Sequence, residues 1–406
     1  MAEKQKSMKK KVLFVLPDYC HGGTNKSMEN LLHFLNKQKY EICIYVLYAD
    51  GGHYYRDVYR PYALRKSLLY YFAHDNWLTR KVMGALMKLS KKMNFNWLYR
   101  YEVNRLQRNY HFDTIVAYQE ATSTIFASLL NDKDINRVAW VHCDYKDHIK
   151  QAGIVAEHAL YACFDHIVCV SKTALGSFLS VMPELSDKCT YIYNLVNVQQ
   201  LKEMAIDKVH VPYSSEKFNI VSIGRFEAVK QFQKIPSIMN QLVNEMHCNI
   251  CWYIIGDGDK QLIERTKAEV SKFQLGDAVI FLGAKDNPYP YIANADLLAC
   301  LSISESWSYV IAESKALGTP VLVNDFKVAH EVVQPNNGWI CGLKDIPRLI
   351  KAILDGRKNE YLFVYNRVKE NNKKENSKPR MNKIEMILDS KSLLLIETYQ
   401  SIHEYN

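Results

Sequence analysis

Several features that would decide a function at once are missing from this 406-residue chain. No apolar run approaches the roughly 20 residues that cross a bilayer. After a lysine-rich start, Val12 to Leu16 is the only apolar stretch before Pro17-Asp18. That is too short for a secretory signal core, so the chain is expected in the cytoplasm. Ten cysteines show no disulfide-like spacing, which fits a reducing compartment. One Cys-x-x-Cys, Cys248 to Cys251 beside His247, runs into the apolar Trp252 to Ile255. No second pair accompanies it, so neither metal nor redox chemistry is expected there. No G-x-G-x-x-G follows the first strand-like run, which argues against an NAD-dependent dehydrogenase. No nucleic-acid module is recognisable, and no internal repeat beyond two α/β halves.

What remains is a folded composition, 48% hydrophobic and 23% charged, at a length that suits two domains. Its charge is unevenly placed. Between His53 and His111, twelve basic residues face three acidic ones, so this stretch carries +9, the net charge of the whole chain. Thirteen aromatic residues, among them Tyr70, Trp77, Trp97 and Tyr101, are interleaved with those charges. Such a mixture suits an anionic membrane surface, with a solvated basic face as the alternative.

The chain is organised around Leu301 to Asp325. Leu297 to Ala299 read as a buried strand, Ser302 to Ser308 as a polar loop, and Tyr309 to Leu317 as a helix closed by Gly318. Val321 to Val323 begin the next strand, completing a parallel βαβ unit, whose ligands gather where strands end and helices begin. Glu305 lies in the loop and Glu313 about one turn inside the helix. The helix start, Ser308 to Val310 with Ser308 as N-cap and Tyr309 next, offers free backbone N–H groups. Anion-binding amides beside two acidic acceptors suit a molecule with both phosphates and hydroxyls, as in a nucleotide-sugar.

Other stations repeat the strand-loop-helix pattern. Gly22-Gly23, between the strand Lys11 to Leu16 and the helix from Asn25, would let amides approach a phosphate; a turn needing glycine is the rival cause. His142 ends the strand Asn136 to Val141, where α/β enzymes keep reactive groups, and Asp144 stands close enough in sequence to orient its ring. His21 is a weaker candidate. Arg225 and Lys230 follow the strand Phe218 to Ile223 and together could clamp a diphosphate. Asp257-Gly258-Asp259 suggests a metal motif, but its place after the strand Asn249 to Ile255 reads better as a turn.

The spacing of Glu305 and Glu313, with seven residues between, followed by Ala316-Leu317-Gly318-Thr319-Pro320-Val321, resembles the signature of the retaining two-domain glycosyltransferases of family four, the group 1 enzymes. Gly224-Arg225 and Lys230 match that family's cation pattern, and Gly22-Gly23 its first-domain loop. Two departures stand out: Ser306 and Ser308 replace the family's glycines around the first Glu, and Gln231 replaces a glycine after Lys230. The resemblance implies an α/β GT-B fold, two Rossmann-like domains facing across a cleft. Residues 1–208 would bind acceptor, 209–217 link, 218–380 bind the nucleotide-sugar, and 381–406 form a helix returning to the first domain. Asn194 to Asn197 resembles the exit from the first domain.

The implied reaction is metal-independent, cofactor-free transfer of a sugar from a nucleotide-sugar, a UDP-sugar by preference, to a glycan or lipid-linked acceptor in cell-surface polysaccharide assembly. Its catalytic residues would be His142, Glu305, Arg225 and Lys230. Donor binding would fall to Gly22, Gly23, Arg225, Lys230, Ser308, Tyr309, Val310 and Glu313. The loop Ala284 to Pro290 would lie near the base. The location would be cytoplasmic, with peripheral attachment to the inner face of the membrane as a further option, and nucleic acid is not an expected partner. A nucleotide-sugar epimerase or an inactive sugar-binding scaffold are the alternatives from other classes.

Overall fold

A computed structural model describes residues 9–18, 22–49, 58–62, 81, 97–130, 132–152, 157–355, 361, 364–366, 368 and 377–390. Most of the basic aromatic stretch, His21, and the apolar residues Leu394 to Ile396 lie outside them. The chain divides into two units, residues 1–195 with 377–406, and residues 196–376.

The first unit is a parallel six-stranded sheet. Strand β1 (Lys10–Asp18) holds Val12 to Leu16, all fully buried, as expected of a strand covered on both faces by helices. After it come helix α1 (Gly23–Phe34) and β2 (Tyr40–Ala49), then α2 (Trp97–Asn109) and β3 (Thr114–Ala117). Next are α3 (Thr122–Ser128), β4 (Asn136–Val141), β5 (His166–Cys169) and β6 (Cys189–Tyr191). The strand order is β2-β1-β3-β4-β5-β6.

The second unit opens with α4 (Val198–Ala205), capped by the Asn197 side chain on Gln200 N. Strands β7 (Phe218–Ile223) and β8 (Ile250–Ile255) precede α5 (Lys260–Lys272) and β9 (Val279–Gly283). Then come β10 (Leu297–Cys300), α6 (Tyr309–Leu317), β11 (Val321–Asn324) and β12 (Gly338–Cys341), in the order β12-β11-β10-β7-β8-β9. Alternate residues feed two cores. Val221, Tyr253, Leu298 and Val321 pack on one face, and Ile220, Trp252, Leu297 and Leu322 on the other.

The units part within Asn194 to Asn197, the stretch that resembles the exit from the first domain, and not at the linker expected over 209–217. Residues 209–217 belong to the second unit, and the first passage is at Leu195–Val196. The reason is packing: Val196 and Leu201 are buried in the second unit's core, with Tyr213 packed against it. The polar, proline-bearing segment marks a surface loop of that core and is not the linker.

The chain comes back to the first unit as α7 (Lys378–Asp389), whose Ile384, Ile387 and Leu388 are buried, worth about 1.5–3 kcal/mol each. Its end lies against the opening residue of five successive strands. Lys10 pairs with Asp389 at 3.4 Å, and Tyr40 donates to the same carboxylate at 3.0 Å. Thr114 donates to Leu388 O (2.8 Å) and Asn136 to Ile387 O (2.7 Å), while the His166 ring meets Ser390 O. Helix α7 therefore closes the N-terminal edge of this sheet and leaves the opposite edge for chemistry.

Candidate active site

In the second unit two of the expected residues, Lys230 and Glu305, meet past the C-terminal ends of β7 and β10. Lys230 Nζ lies 2.5 Å from Glu305 Oε1, with both side chains mostly buried. Burial draws the ammonium pKa down, but the Glu305 carboxylate more than offsets it and the net shift is upward. Ser302 donates to the same Glu305 oxygen at 2.7 Å, and Asn324 on β11 donates to Ser302 O at 2.9 Å. Glu313, buried in α6, accepts from Tyr289 OH at 3.1 Å. Arg225 does not join Lys230 on Glu305: it is largely exposed and its Nε meets Glu227 at 3.3 Å.

Ser308 occupies the N-cap position of α6, but its hydroxyl makes no capping bond. The helix start, with Tyr309 and Val310, therefore has no hydroxyl cap and can address an anion. The Gly-Asp-Gly-Asp turn after β8 is structural. A Cβ on Gly256 would fall 1.8 Å from Gly224 O, and one on Gly258 2.6 Å from Phe226 O. Asp259 caps α5 through Gln261 N and Leu262 N, so its carboxylate is already used. Among the described residues no group of three or more His, Cys, Asp or Glu could hold a metal ion. A cavity of about 730 Å³, lined by Val333, Trp339, Cys341, Arg348 and Leu349 along the outer strand β12, includes none of the site residues.

In the first unit Gly22 stands at the N-cap of α1 with φ 168°, an extended conformation open to any residue. No described atom lies within 4 Å of a Cβ built there. His142 follows β4 directly, and its Nε2 is buried with no partner among the described residues. Burial pulls its pKa down to about 3, so the ring is neutral.

Asp144 does not orient that ring. Its carboxylate takes the Ser177 hydroxyl and Asp147 N (3.3 Å). Glu120, which the sequence did not single out, accepts instead from His142 N and Cys143 N. Ser302 and Asn324 were likewise missed, and Tyr289 was named only within the loop Ala284 to Pro290. Ser302 carried a signal, a hydroxyl three residues before Glu305.

Two family models match: glycosyl transferases group 1 over residues 205–375, and glycosyltransferase family 4 over residues 21–200. The chain is 27% identical over 168 residues to the N-acetylgalactosamine-N,N'-diacetylbacillosaminyl-diphospho-undecaprenol 4-alpha-N-acetylgalactosaminyltransferase of Campylobacter jejuni, covering 41% of this chain and 43% of that one. It is 26% identical over 206 residues to the N-acetyl-alpha-D-glucosaminyl L-malate synthase of Bacillus anthracis, covering 49% and 51%. It thus spans about half the length of these curated relatives. The structure of Anabaena HepE in complex with UDP and glucose superposes with a TM-score of 0.72 at 14% identity, over 93% of this chain and 99% of that one. That likeness shows the fold, two Rossmann-like halves of the GT-B type.

Proposed function

Because the chain belongs to the family-four, group 1 glycosyltransferases, we propose that it transfers a sugar from a nucleotide-sugar, a UDP-sugar by preference, with retention at the anomeric carbon. The observation that carries this reading is the Lys230–Glu305 pair beside the uncapped start of α6, with Glu313 set deeper in the same helix. A donor diphosphate would take Lys230 and Arg225 as counter-ions and the amides at Ser308 to Val310 as donors. Glu313 would accept from the ribose hydroxyls, and Glu305 from the sugar. Gly22 and Gly23 would leave room for the diphosphate at the first unit's α1.

In the transfer step the acceptor oxygen bonds to the anomeric carbon on the face from which the diphosphate departs. The breaking carbon–oxygen bond gives its electron pair to the diphosphate, and a departing phosphate oxygen takes the hydroxyl proton. His142 would serve this step as a neutral partner for a hydroxyl. Two protein cations would supply the electrostatic stabilisation of the leaving group, so turnover is expected to survive chelation. A panel of nucleotide-sugars, screened by thermal shift and then by donor hydrolysis with and without chelator, tests the reading. Epimerised sugar without donor cleavage would favour the epimerase reading instead.

The acceptor proposed is a glycan or lipid-linked glycan, the class named in the Campylobacter relative, reached at an anionic membrane surface. The support is the +9 stretch between His53 and His111 and, on α2, the exposed Arg100, Tyr101 and Arg108. No helix among the described residues is long and apolar enough to cross a membrane. Each basic residue near such a surface contributes about 1 kcal/mol, screened over roughly 8 Å at physiological salt. Binding to anionic but not neutral liposomes, weakening as salt rises, is expected; equal or absent binding to both would remove the membrane from the proposal.

A further inference from the structure

We propose that Glu120 is the positioning residue for His142, fixing the end of β4 so that the imidazole Nε2 is presented to the hydroxyl-bearing substrate. The proposal rests on the role given to His142 above.

One carboxylate oxygen, Glu120 Oε1, accepts from two consecutive backbone N–H groups, those of His142 and Cys143 (the latter at 2.9 Å). Two donors on one oxygen fix both peptide planes, and with them the direction in which the His142 side chain leaves the strand. The ring itself packs against Tyr118, whose centroid lies 5.0 Å away. Ser27 has one hydroxyl proton, which goes to Asn194 Oδ1 at 2.8 Å. Tyr118 OH must then donate to Ser27 Oγ, also 2.8 Å away, so Tyr118 is fixed from α1 and from the residues beyond β6.

Three local costs fall on this corner. Glu120 is only 7% exposed, and burial pushes its carboxyl pKa upward against the pull of the two N–H groups. The next residue, Ala121, has φ 62° and ψ −101°, a conformation that costs a non-glycine residue about 1–3 kcal/mol. His142 Nε2 is a buried ring nitrogen without a partner among the described residues. Apolar packing would hold the end of a strand without any of these. Together they account for one result, a ring whose direction is set before substrate arrives.

The test uses the full chain with ¹⁵N-labelled histidine, the His142 ring signals being assigned by their loss in His142→Ala. In the wild type these signals should not titrate between pH 5 and 8. In Glu120→Ala the released ring should titrate toward the ordinary histidine range near 6.5. Glu120→Gln, which keeps an oxygen for the two N–H groups, should stay close to wild type. Superposable His142 signals in wild type and Glu120→Ala would overturn the proposal. Should Glu120→Ala not fold, Glu120→Asp withdraws the oxygen by one methylene and is read in the same way.

Turnover provides a second arm, on whichever panel donor is hydrolysed. Glu120→Ala should lower it roughly 10–100-fold, with affinity for free UDP unchanged and activity regained in Glu120→Gln. The double variant with His142→Ala should be no slower than His142→Ala alone, since the two act as one unit. A multiplicative loss would show that Glu120 acts apart from His142 and would overturn the proposal. A fully active His142→Ala would sink the role given to His142, while the ring signals still decide whether Glu120 positions it.

Discussion

The C-terminal edges of the two sheets are built on the same strand-to-helix geometry and opposite electrostatics. In the second unit the functional groups already hold one another: Lys230 with Glu305, Ser302 with Glu305, Tyr289 with Glu313. In the first unit His142 is neutral, clamped through backbone amides, and keeps a ring nitrogen with no partner among the described residues. The second arrangement is a charge store. In the reading proposed above, a donor phosphate would share Lys230 with Glu305. The first arrangement stores direction and no charge. Binding energy and geometry are thus assigned to different halves of the chain.

The sharpest break of this contrast is Lys230→Ala. Loss of one preorganised charge-stabilising donor should lower kcat by roughly 10²–10³. It also leaves the mostly buried Glu305 without its counter-ion, so stability should fall by about 1–3 kcal/mol. Reading the sequence alone, one expects a solvated lysine whose loss spares folding; burial of the pair reverses that. Arg225→Ala should also slow turnover but leave the melting temperature within error, because its pair with Glu227 is exposed. Equal effects on folding from both variants, measured by thermal denaturation, would refute the distinction.

Next in size is the split between the glutamates. Glu313→Gln keeps the shape but weakens acceptance from ribose hydroxyls, so affinity for free UDP should fall about 10-fold. Glu305→Gln should spare UDP binding and slow transfer. Calorimetric titration with UDP beside donor turnover checks both, and the reverse pattern would exchange the assigned roles.

The first unit should show its neutrality in acid. The His142 pKa is depressed from its usual 6.5 to about 3, so the neutral ring is the form the fold favours. Its contribution is fully present above pH 6.5 and is lost as pH falls toward 3, on the order of 2–4 kcal/mol. The raised Glu120 carboxyl works in the other direction there, so the quantity to read is the difference in slope between wild type and His142→Ala. Identical denaturation slopes for both between pH 6 and 4 would place the ring in solvent.

How far the site was legible in the sequence follows the same division. Strands such as Val12–Leu16 declare themselves because parallel strands are buried on both faces and need no alternation. Glu305 and Glu313 were legible because their spacing belongs to one βαβ unit, and Lys230 because it follows the strand-like run Phe218 to Ile223. Glu120 was not. It acts on residues 22 and 23 positions later through backbone amides, which every residue carries, so no side-chain pattern marks its target. The reading of 209–217 as a linker differs for a related reason: a polar loop and a linker have the same composition, and only packing, such as that of Tyr213 on the second unit's core, tells them apart.

The smallest expected effect bears on a departure visible in the sequence. Where the family carries glycine after the lysine, this chain has Gln231, and the backbone there keeps the conformation glycine favours, φ 55° and ψ 28°. The left-handed region costs an ordinary residue roughly 1–2 kcal/mol, partly returned by glycine's greater freedom in the unfolded chain. Gln231 Oε1 is also buried with no partner among the described residues, so the side chain offers no evident compensation. Gln231→Gly should therefore stabilise the protein by about 0.5–1 kcal/mol, and Gln231→Ala, which keeps the Cβ, should gain little. The first unit supplies the counterpart, since Ala121 follows Glu120 as Gln231 follows Lys230, each with positive φ. Ala121→Gly should likewise stabilise, but at the cost of turnover, because relaxing that turn loosens the clamp on His142. Gln231→Gly should leave turnover unchanged, since the Lys230 ammonium is held by Glu305 and its backbone N–H by Glu227 O (3.0 Å), both of which the variant keeps. Denaturant unfolding and donor turnover on the two glycine variants decide the matter: a loss of activity in Gln231→Gly, or none in Ala121→Gly, would erase the contrast between a site held by charge and one held by direction.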